Sequence, residues 1–335
     1  MADATHKSFD ASDRSYYAII KKEVHNLALS TGFPEKKIAE LDIIVAEITS
    51  NLHKYAKAGE LLLSYQEKAG HEYIELISID SGPGMQDLSR MMADGYSSTN
   101  TIGHGLGSIK RLSDEFDIFS SKGWGTILVS RVFKLPITKA KLKAPDIKAI
   151  VVAKPGEIHS GDGYYVKASG NSVKLMLADG LGHGVDANYA MNQAVAAFQQ
   201  CPFDSPVEII RFIHRAVRKT RGLVATFVVV DTTQRTLRIA GVGNISAKLI
   251  GPLMSKTPLA YNGIIGHNIP NTMNDQLMSI NDFQQLVLCS DGIRSRWELN
   301  KLPGLNRCDL SIQAAAIYKD HSRRSDDMSV VISKF

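Results

Sequence analysis

Aspartates recur in the second half of this 335-residue chain, each beside a glycine or an apolar run. They are Asp162 in Ser-Gly-Asp-Gly, Asp179 in Ala-Asp-Gly-Leu-Gly-His-Gly, Asp291 in Cys-Ser-Asp-Gly, and Asp326 followed by Asp327. Each one alone is typical of a turn. Their recurrence at predicted strand ends favours a magnesium or manganese site, because carboxylate oxygens are the ligands that these hard cations prefer. Two such ions, roughly 3.5–4 Å apart, can activate a water for in-line attack on a phosphoester.

A polar pair in the first half, Glu47 and Asn51, could carry a different chemistry. Both lie in residues 38–56, where apolar side chains recur with the spacing of an amphipathic helix. Because they are four residues apart, they share one face of that helix. An exposed polar pair is the ordinary interpretation of such a pattern on its own.

Two glycine-containing loops follow in the same half of the chain. Asp80 ends the predicted strand 73–79 and is followed by Gly82 and Gly84. Further on, Gly103-His-Gly-Leu-Gly107, with Gly105 at its centre, opens the predicted helix 108–116. Glycines at a helix N-terminus let backbone N–H groups approach an anion, and the helix dipole favours phosphate there. These features predict a phosphate-binding loop.

Composition bounds the class of protein. The hydrophobic content of 44% and charged content of 22% are ordinary for a soluble globular protein, and the net charge of +5 is mild. No basic block with interleaved aromatic residues predicts nucleic-acid binding, and no apolar run predicts a membrane span or signal peptide. Three cysteines without paired spacing indicate neither a disulfide framework nor a zinc site, which favours the cytoplasm.

The length favours two domains. Residues 136–146, PITKAKLKAPD, are rich in proline and lysine and are predicted to be a linker. This gives domains at 1–135 and 147–335. Helical and strand patterns are mixed before the linker, whereas strand patterns dominate after it.

The order of motifs in residues 10–135 resembles the Bergerat (GHKL) ATP-binding fold of histidine kinases, gyrase, Hsp90 and the anti-sigma serine kinases. The small serine kinases of partner-switching and stressosome systems look most similar. The resemblance implies that Asn51 holds a magnesium ion on the ATP phosphates and that Glu47 is the general base for a substrate serine. It also implies that Asp80, with Gly82 and Gly84, binds adenine, and that the backbone of Gly103, Gly105 and Gly107 surrounds the phosphates.

Residues 147–335 resemble the metal-dependent (PPM) serine/threonine phosphatases of the sporulation and stressosome-feedback branch, through ADGLGHG, CSDG and SDDMSVV. The resemblance implies that Asp179 and the carbonyl of Gly180 bridge two manganese or magnesium ions. Asp162 is implied as a further ligand, with Asp291 and Asp326, rather than Asp327, on the second ion. Arg294 or Arg296 is a candidate to contact a phosphate or an acidic partner, although a solvated arginine is the default expectation.

Together the resemblances imply an α+β chain, with a Bergerat α/β sandwich ATPase domain followed by a PPM-type α-β-β-α sandwich phosphatase domain. The function that they imply is a bifunctional switch that phosphorylates and dephosphorylates a STAS-domain protein, with an anti-sigma factor or a stressosome component as a further partner. Two alternatives stay open. One is a phosphatase alone, gated by an ATP-sensing domain, and the other is a first domain that only sequesters a partner. ATPase domains of this fold often dimerise, so a homodimer also stays open.

Overall fold

The computed structural model describes residues 5–68, 70–85, 105–136 and 145–335. It divides into two compact units. The first comprises His6–Lys139 and Glu298–Ala316, and the second Ala140–Trp297 and Ile317–Phe335. Most of the predicted linker lies outside the described residues, so the domain boundaries stay predictions. Within the described ranges, no helix is both long enough and apolar enough to cross a membrane.

The helices of the first unit supply one layer of its core. They are α1 (Tyr17–Ser30), α2 (Glu35–Tyr55) and α3 (Gly105–Leu112). Helix α2 begins after Pro34 and buries Ile38, Leu41, Val45, Ile48 and Leu52, the apolar stripe that its sequence predicts. Because Glu47 and Asn51 lie beside this stripe, the packing of α2 holds both polar side chains in place.

The first unit also contains a five-stranded antiparallel sheet of order β1-β2-β3-β5-β4. Its strands are β1 (Lys7–Asp10), β2 (Gly59–Lys68), β3 (His71–Asp80), β4 (Glu115–Ser121) and β5 (Gly125–Phe133). Apolar residues of β2, β3 and β5, such as Leu61, Leu76 and Leu128, join one core with the helices. Strand β1 is not predicted from the sequence. The predicted helix 108–116 ends at Leu112, because Glu115 and Phe116 pair with β5.

The other face of this sheet carries a buried row of charges. Glu75, Arg131 and Glu115 are cross-strand partners on β3, β5 and β4. The Arg131 guanidinium lies 2.5 Å from Glu75 and 2.8 Å from Glu115. It also makes two hydrogen bonds to the carboxylate of Asp309, which belongs to the same unit. Arg131 is only 2% exposed, so these acidic partners are required to offset its desolvation.

The second unit contains two antiparallel sheets, of order β13-β10-β9-β8-β7 and β12-β11-β14-β15-β6. The strands of the first sheet are β7 (Asp162–Ser169), β8 (Ser172–Gly180), β9 (Leu223–Asp231), β10 (Thr236–Val242) and β13 (Gln276–Ser279). Those of the second are β6 (Asp146–Val152), β11 (Ser246–Ile250), β12 (Ser255–Lys256), β14 (Gln285–Cys289) and β15 (Met328–Lys334).

Helices α4 (Val185–Gln200) and α5 (Pro206–Ala216) pack on the outer face of the first sheet. Helix α6 spans Leu310–His321, of which residues 310–316 belong to the first unit. The predicted capping of α5 is confirmed, since the Ser205 side chain accepts a hydrogen bond from the Glu208 amide.

Two apolar cores hold these layers together. One lies between α4, α5 and the first sheet, and the other lies between the two sheets. Successive residues of β8 alternate between them, with Leu175 and Leu177 in the core between the sheets. Asp179 continues this alternation at the end of the strand, so its side chain leaves β8 on the side that faces the other sheet.

Candidate active sites

The first candidate site contains Glu47 and Asn51 of α2. The N-terminus of α3 approaches both side chains at Gly105. A Cβ atom on Gly105 would lie 2.9 Å from Oε2 of Glu47 and 3.6 Å from Oδ1 of Asn51. The predicted phosphate loop therefore comes close to the predicted catalytic pair, and a side chain at position 105 would require the Glu47 carboxylate to move. Gly107 follows in the same helical turn, whereas Gly103 lies outside the described residues.

The Asp80 loop lies at the end of β3. The Gly82 amide donates a 2.6 Å hydrogen bond to Oδ1 of Asp80, which forms a tight turn. Gly84 has φ +70°, and a Cβ there would lie 2.0 Å from the carbonyl oxygen of Ser121. The structure therefore explains Asp80, Gly82 and Gly84 as a turn packed against β4. Adenine binding by this loop stays a prediction.

The second candidate site is formed by strands from both sheets of the second unit. Asp162 begins β7 and Asp179 lies near the end of β8, and the two residues are directly opposite each other in the strand register. Asp291 follows β14, and Asp326 precedes β15. A cleft of about 380 Å³ is lined by Asp179, Asp291 and Asp326 together with residues of neighbouring loops.

Asp162 is 3% exposed and does not itself line this cleft. Its Oδ2 accepts a 2.7 Å hydrogen bond from the Ser329 hydroxyl, whereas its Oδ1 is buried without a hydrogen-bond partner. Burial raises the pKa of Asp162 to about 7, and the negative charges of Asp327 and Asp291 act in the same direction. The hydroxyls of Ser290 and Ser329 act in the opposite direction, because they stabilise the ionised carboxylate. A buried carboxylate oxygen without a partner is costly unless a cation or proton satisfies it.

Asp179 experiences the same surplus of negative charge. Burial, followed by the charges of Asp162, Asp291 and Asp326, raises the pKa of Asp179 to about 9. Like charges this close disfavour ionisation of the whole group. A divalent cation would reverse that effect, because it stabilises the ionised carboxylates.

Asp326 and Asp327 are adjacent in sequence but have different environments. Asp327 is 1% exposed, and its two carboxylate oxygens accept hydrogen bonds from the amides of Lys154 and Gly161, both at 2.8 Å. Asp326 lines the cleft, and its Oδ1 accepts a hydrogen bond from the Asp327 amide. The arrangement gives Asp327 a structural role and leaves Asp326 as the better candidate ligand.

Sequence reasoning missed the amide side chains of this cleft. Asn244 and Asn262 both line it, and Nδ2 of Asn244 donates a 2.9 Å hydrogen bond to Oδ2 of Asp291. Asn244 follows β10 in Gly-Val-Gly-Asn, a sequence that reads as a turn. Only the strand pairing brings it to Asp291, so no local signal could have identified it.

The donor set fits hard divalent cations. In the described part of the chain, no three His, Cys, Asp or Glu side chains are arranged to hold one ion by themselves. Magnesium is ordinarily bound by one or two carboxylates and keeps several waters, so a full protein cage is not needed. The unpartnered Oδ1 of Asp162 and the raised pKa values of Asp162 and Asp179 both fit a site that binds cations, since a cation would satisfy the oxygen and favour the ionised carboxylates.

Comparisons with known proteins match each half of the chain. The model of the histidine kinase-like ATPase domain matches residues 9–131, and the model of stage II sporulation protein E (SpoIIE) matches residues 169–335. Serine/threonine-protein kinase RsbT of Bacillus subtilis (strain 168) is 34% identical over 101 residues, which are 30% of this chain and 76% of RsbT.

Solved structures are also similar. One of them is 31% identical to this chain, with a TM-score of 0.53. It comes from work on the bacterial stressosome, described as a modular system that has been adapted to control secondary messenger signaling. The match covers 57% of this chain and 99% of that one. RsbX in complex with magnesium shares the fold at 19% identity and a TM-score of 0.51, over 58% of this chain and 97% of RsbX. The chain therefore belongs to the histidine kinase-like ATPase family, with RsbT, through its first half, and to the SpoIIE family through its second.

Proposed function

We propose that this chain is a bifunctional regulator of a partner-switching pathway. Its first half is an ATP-dependent protein serine kinase, and its second half is a metal-dependent phosphoserine and phosphothreonine phosphatase. Both act on a STAS-domain protein. The observation that carries the proposal is the opposition of Asp162 and Asp179 beside a cleft shared with Asp291 and Asp326.

In the phosphatase half, the ligands of two manganese or magnesium ions would include Asp179, the Gly180 carbonyl and Asp162. Asp291 and Asp326 would be ligands of the second ion. When bound, these ions supply an activated water and neutralise the charge of the phosphoryl group. Asn244 orients Asp291 through their hydrogen bond, and Ser329 fixes Asp162. Such supporting bonds set the direction in which each carboxylate presents its oxygens.

In the kinase half, positioning matters more than covalent chemistry, because phosphoryl transfer requires mainly alignment and charge neutralisation. Asn51 would hold a magnesium ion on the ATP phosphates, and Asp80 would accept a hydrogen bond from adenine. Glu47 would accept the proton of the substrate serine hydroxyl while the γ-phosphoryl group passes from ATP to that oxygen. The close approach of Gly105 to Glu47 and Asn51 supports this arrangement.

The partner assignment rests on the relatives. RsbT is a serine/threonine-protein kinase, and another similar structure comes from work on the bacterial stressosome. A chain that combines a kinase-type half with a SpoIIE-type half would add and remove phosphate on one regulatory protein. An anti-sigma factor or a stressosome component is the further partner that this pathway type implies, and the cytoplasm is the compartment.

The test follows labelled phosphate from ATP into a STAS-domain protein and then into solution, with magnesium and manganese present. Glu47→Ala should prevent labelling, whereas Asp179→Asn should let labelled protein accumulate because release is lost. Glu40→Ala, on the same helix, is the control for Glu47. Labelling that survives Glu47→Ala would contradict the kinase assignment, and phosphate release that survives Asp179→Asn would contradict the phosphatase assignment.

A further inference from the structure

Arg221 lies at the edge of the aspartate cleft, two residues before β9 begins. A Cβ on Gly182 would lie 3.0 Å from Nη1 of Arg221, so the guanidinium is packed against Gly182. Gly182 and Leu181 both line the cleft. The Leu181 amide also donates a 3.1 Å hydrogen bond to the Gly222 carbonyl. The backbone beside Arg221 is therefore attached to the loop that follows Asp179.

Two contacts fix Arg221 in this place. Its Nη2 donates a 2.6 Å hydrogen bond to Oδ2 of Asp186, in the first turn of α4. Its carbonyl oxygen lies 2.8 Å from Nε2 of His267. The side chains of Arg221 and Asp186 are 52% and 65% exposed. Because an exposed ion pair contributes little stability, this pair orients the guanidinium rather than holding the fold together.

The negative charge of the cleft explains why a positively charged side chain is needed at this edge. Asp179, Asp291 and Asp326 line the cleft, and each of them repels a phosphomonoester dianion when it is ionised. Metal ions would offset the carboxylates at the base of the cleft, but the outer phosphoryl oxygens also require donors. A guanidinium presents several N–H donors in a planar fork that matches two phosphate oxygens at once.

We propose that Arg221 is a substrate-binding residue of the phosphatase cleft, where its guanidinium donates hydrogen bonds to the non-bridging oxygens of the phosphoryl group. Asp186 is the positioning residue that aims the guanidinium toward Gly182. This inference rests on the proposed phosphatase function for its role in turnover, but binding of a phosphate group at Arg221 can be measured without turnover.

The first measurement is steady-state hydrolysis of p-nitrophenyl phosphate by the full-length protein with manganese. Losing a hydrogen bond between charged groups costs about 1.5–3 kcal/mol, so Arg221→Gln should raise KM about 10- to 100-fold while kcat changes little. Arg221→Lys should restore part of the loss, and Asp186→Asn should give a smaller rise. Arg218→Gln is the control, because Arg218 is an exposed arginine three residues away.

The second measurement is calorimetric titration of inorganic phosphate into the manganese-loaded protein. Arg221→Gln should weaken phosphate binding at least about 10-fold relative to wild type and to Arg218→Gln. Equal phosphate affinity in Arg221→Gln and wild type would overturn the inference. Wild-type protein that binds phosphate through Arg221 but hydrolyses no phosphoester would instead overturn the proposed phosphatase function and leave the inference standing.

Discussion

Asp162 and Asp179 face each other across β7 and β8, and one of the Asp162 carboxylate oxygens is buried without a partner. Two carboxylates in this relationship destabilise the fold unless protons or cations accompany them. Their position beside Asp291 and Asp326 is the physical reason to assign the cleft to divalent cations.

Ser329→Ala is expected to weaken manganese binding about 10- to 100-fold, because loss of a group that orients a metal ligand typically has that effect. The Ser329 hydroxyl donates to Oδ2 of Asp162 from the facing sheet. Manganese titration measures the change. Ser333→Ala is the control, since Ser333 is also buried on β15. Equal losses in the two variants would show that Ser329 acts only through general packing.

Asp326→Asn and Asp327→Asn are expected to separate metal binding from stability. The Asp327 carboxylate accepts one hydrogen bond on each oxygen, from the backbone amides of Lys154 and Gly161. Asparagine has one oxygen and one NH₂ group, and because the NH₂ group is a donor, it can accept from only one of these amides. Leaving a buried amide unpaired costs about 1–3 kcal/mol. The unfolding temperature should therefore fall for Asp327→Asn and change little for Asp326→Asn. Asp326→Asn should instead weaken manganese binding. The reverse pattern would exchange the roles of the two aspartates.

Arg131→Met is expected to destabilise the first unit by about 3–5 kcal/mol, because it removes the guanidinium that pairs with the buried Glu75 carboxylate. Urea unfolding followed by far-ultraviolet circular dichroism measures the loss. Arg111→Met replaces an exposed arginine of the same unit and should change stability by less than about 0.5 kcal/mol. If Arg131→Met lowered the free energy of unfolding no more than Arg111→Met does, Arg131 would not be needed to offset the buried charge of Glu75.

Phosphatase activity is expected to resist iodoacetamide at pH 8. Burial raises the pKa of Cys289 to about 12, and it raises that of Cys308 to about 11. A thiol reacts as its thiolate, which exists only near and above the pKa, so at pH 8 roughly one Cys289 in 10,000 would be ionised. The reactivity of Cys289 should rise only as the pH approaches 12, and that of Cys308 as it approaches 11. Activity lost at pH 8 in step with alkylation of Cys289 would contradict metal-only chemistry.

The sequence predicted most of what is local and periodic. Helix α2 appears at Glu35–Tyr55 where 38–56 was expected, because one apolar stripe with 3.6-residue spacing packs against one sheet. The aspartates stood out because each accompanies a glycine or a strand. Their grouping around one cleft could be expected only from the family resemblance, since it depends on the pairing of strands distant in sequence.

What the sequence could not predict is what long-range packing decides. Asn244 and Arg221 lie in ordinary turn sequences, and only the folded sheets bring them to the cleft. The short strand β1 carries little pattern of its own and exists because β2 offers it a partner. The family resemblance already implies Asp326 rather than Asp327 as the ligand, and the structure adds that the amides of Lys154 and Gly161 donate to the Asp327 carboxylate.

The most direct test of the central claim is a count of manganese ions bound by the purified chain in the absence of ATP, by equilibrium titration. Two ions are expected for each wild-type chain, and manganese should raise the temperature at which this protein unfolds. Fewer than two ions are expected for Asp179→Asn, and manganese should not raise the unfolding temperature of this variant. Wild-type protein that binds no manganese, or Asp179→Asn protein that binds two ions with unchanged affinity, would contradict the assignment of this cleft.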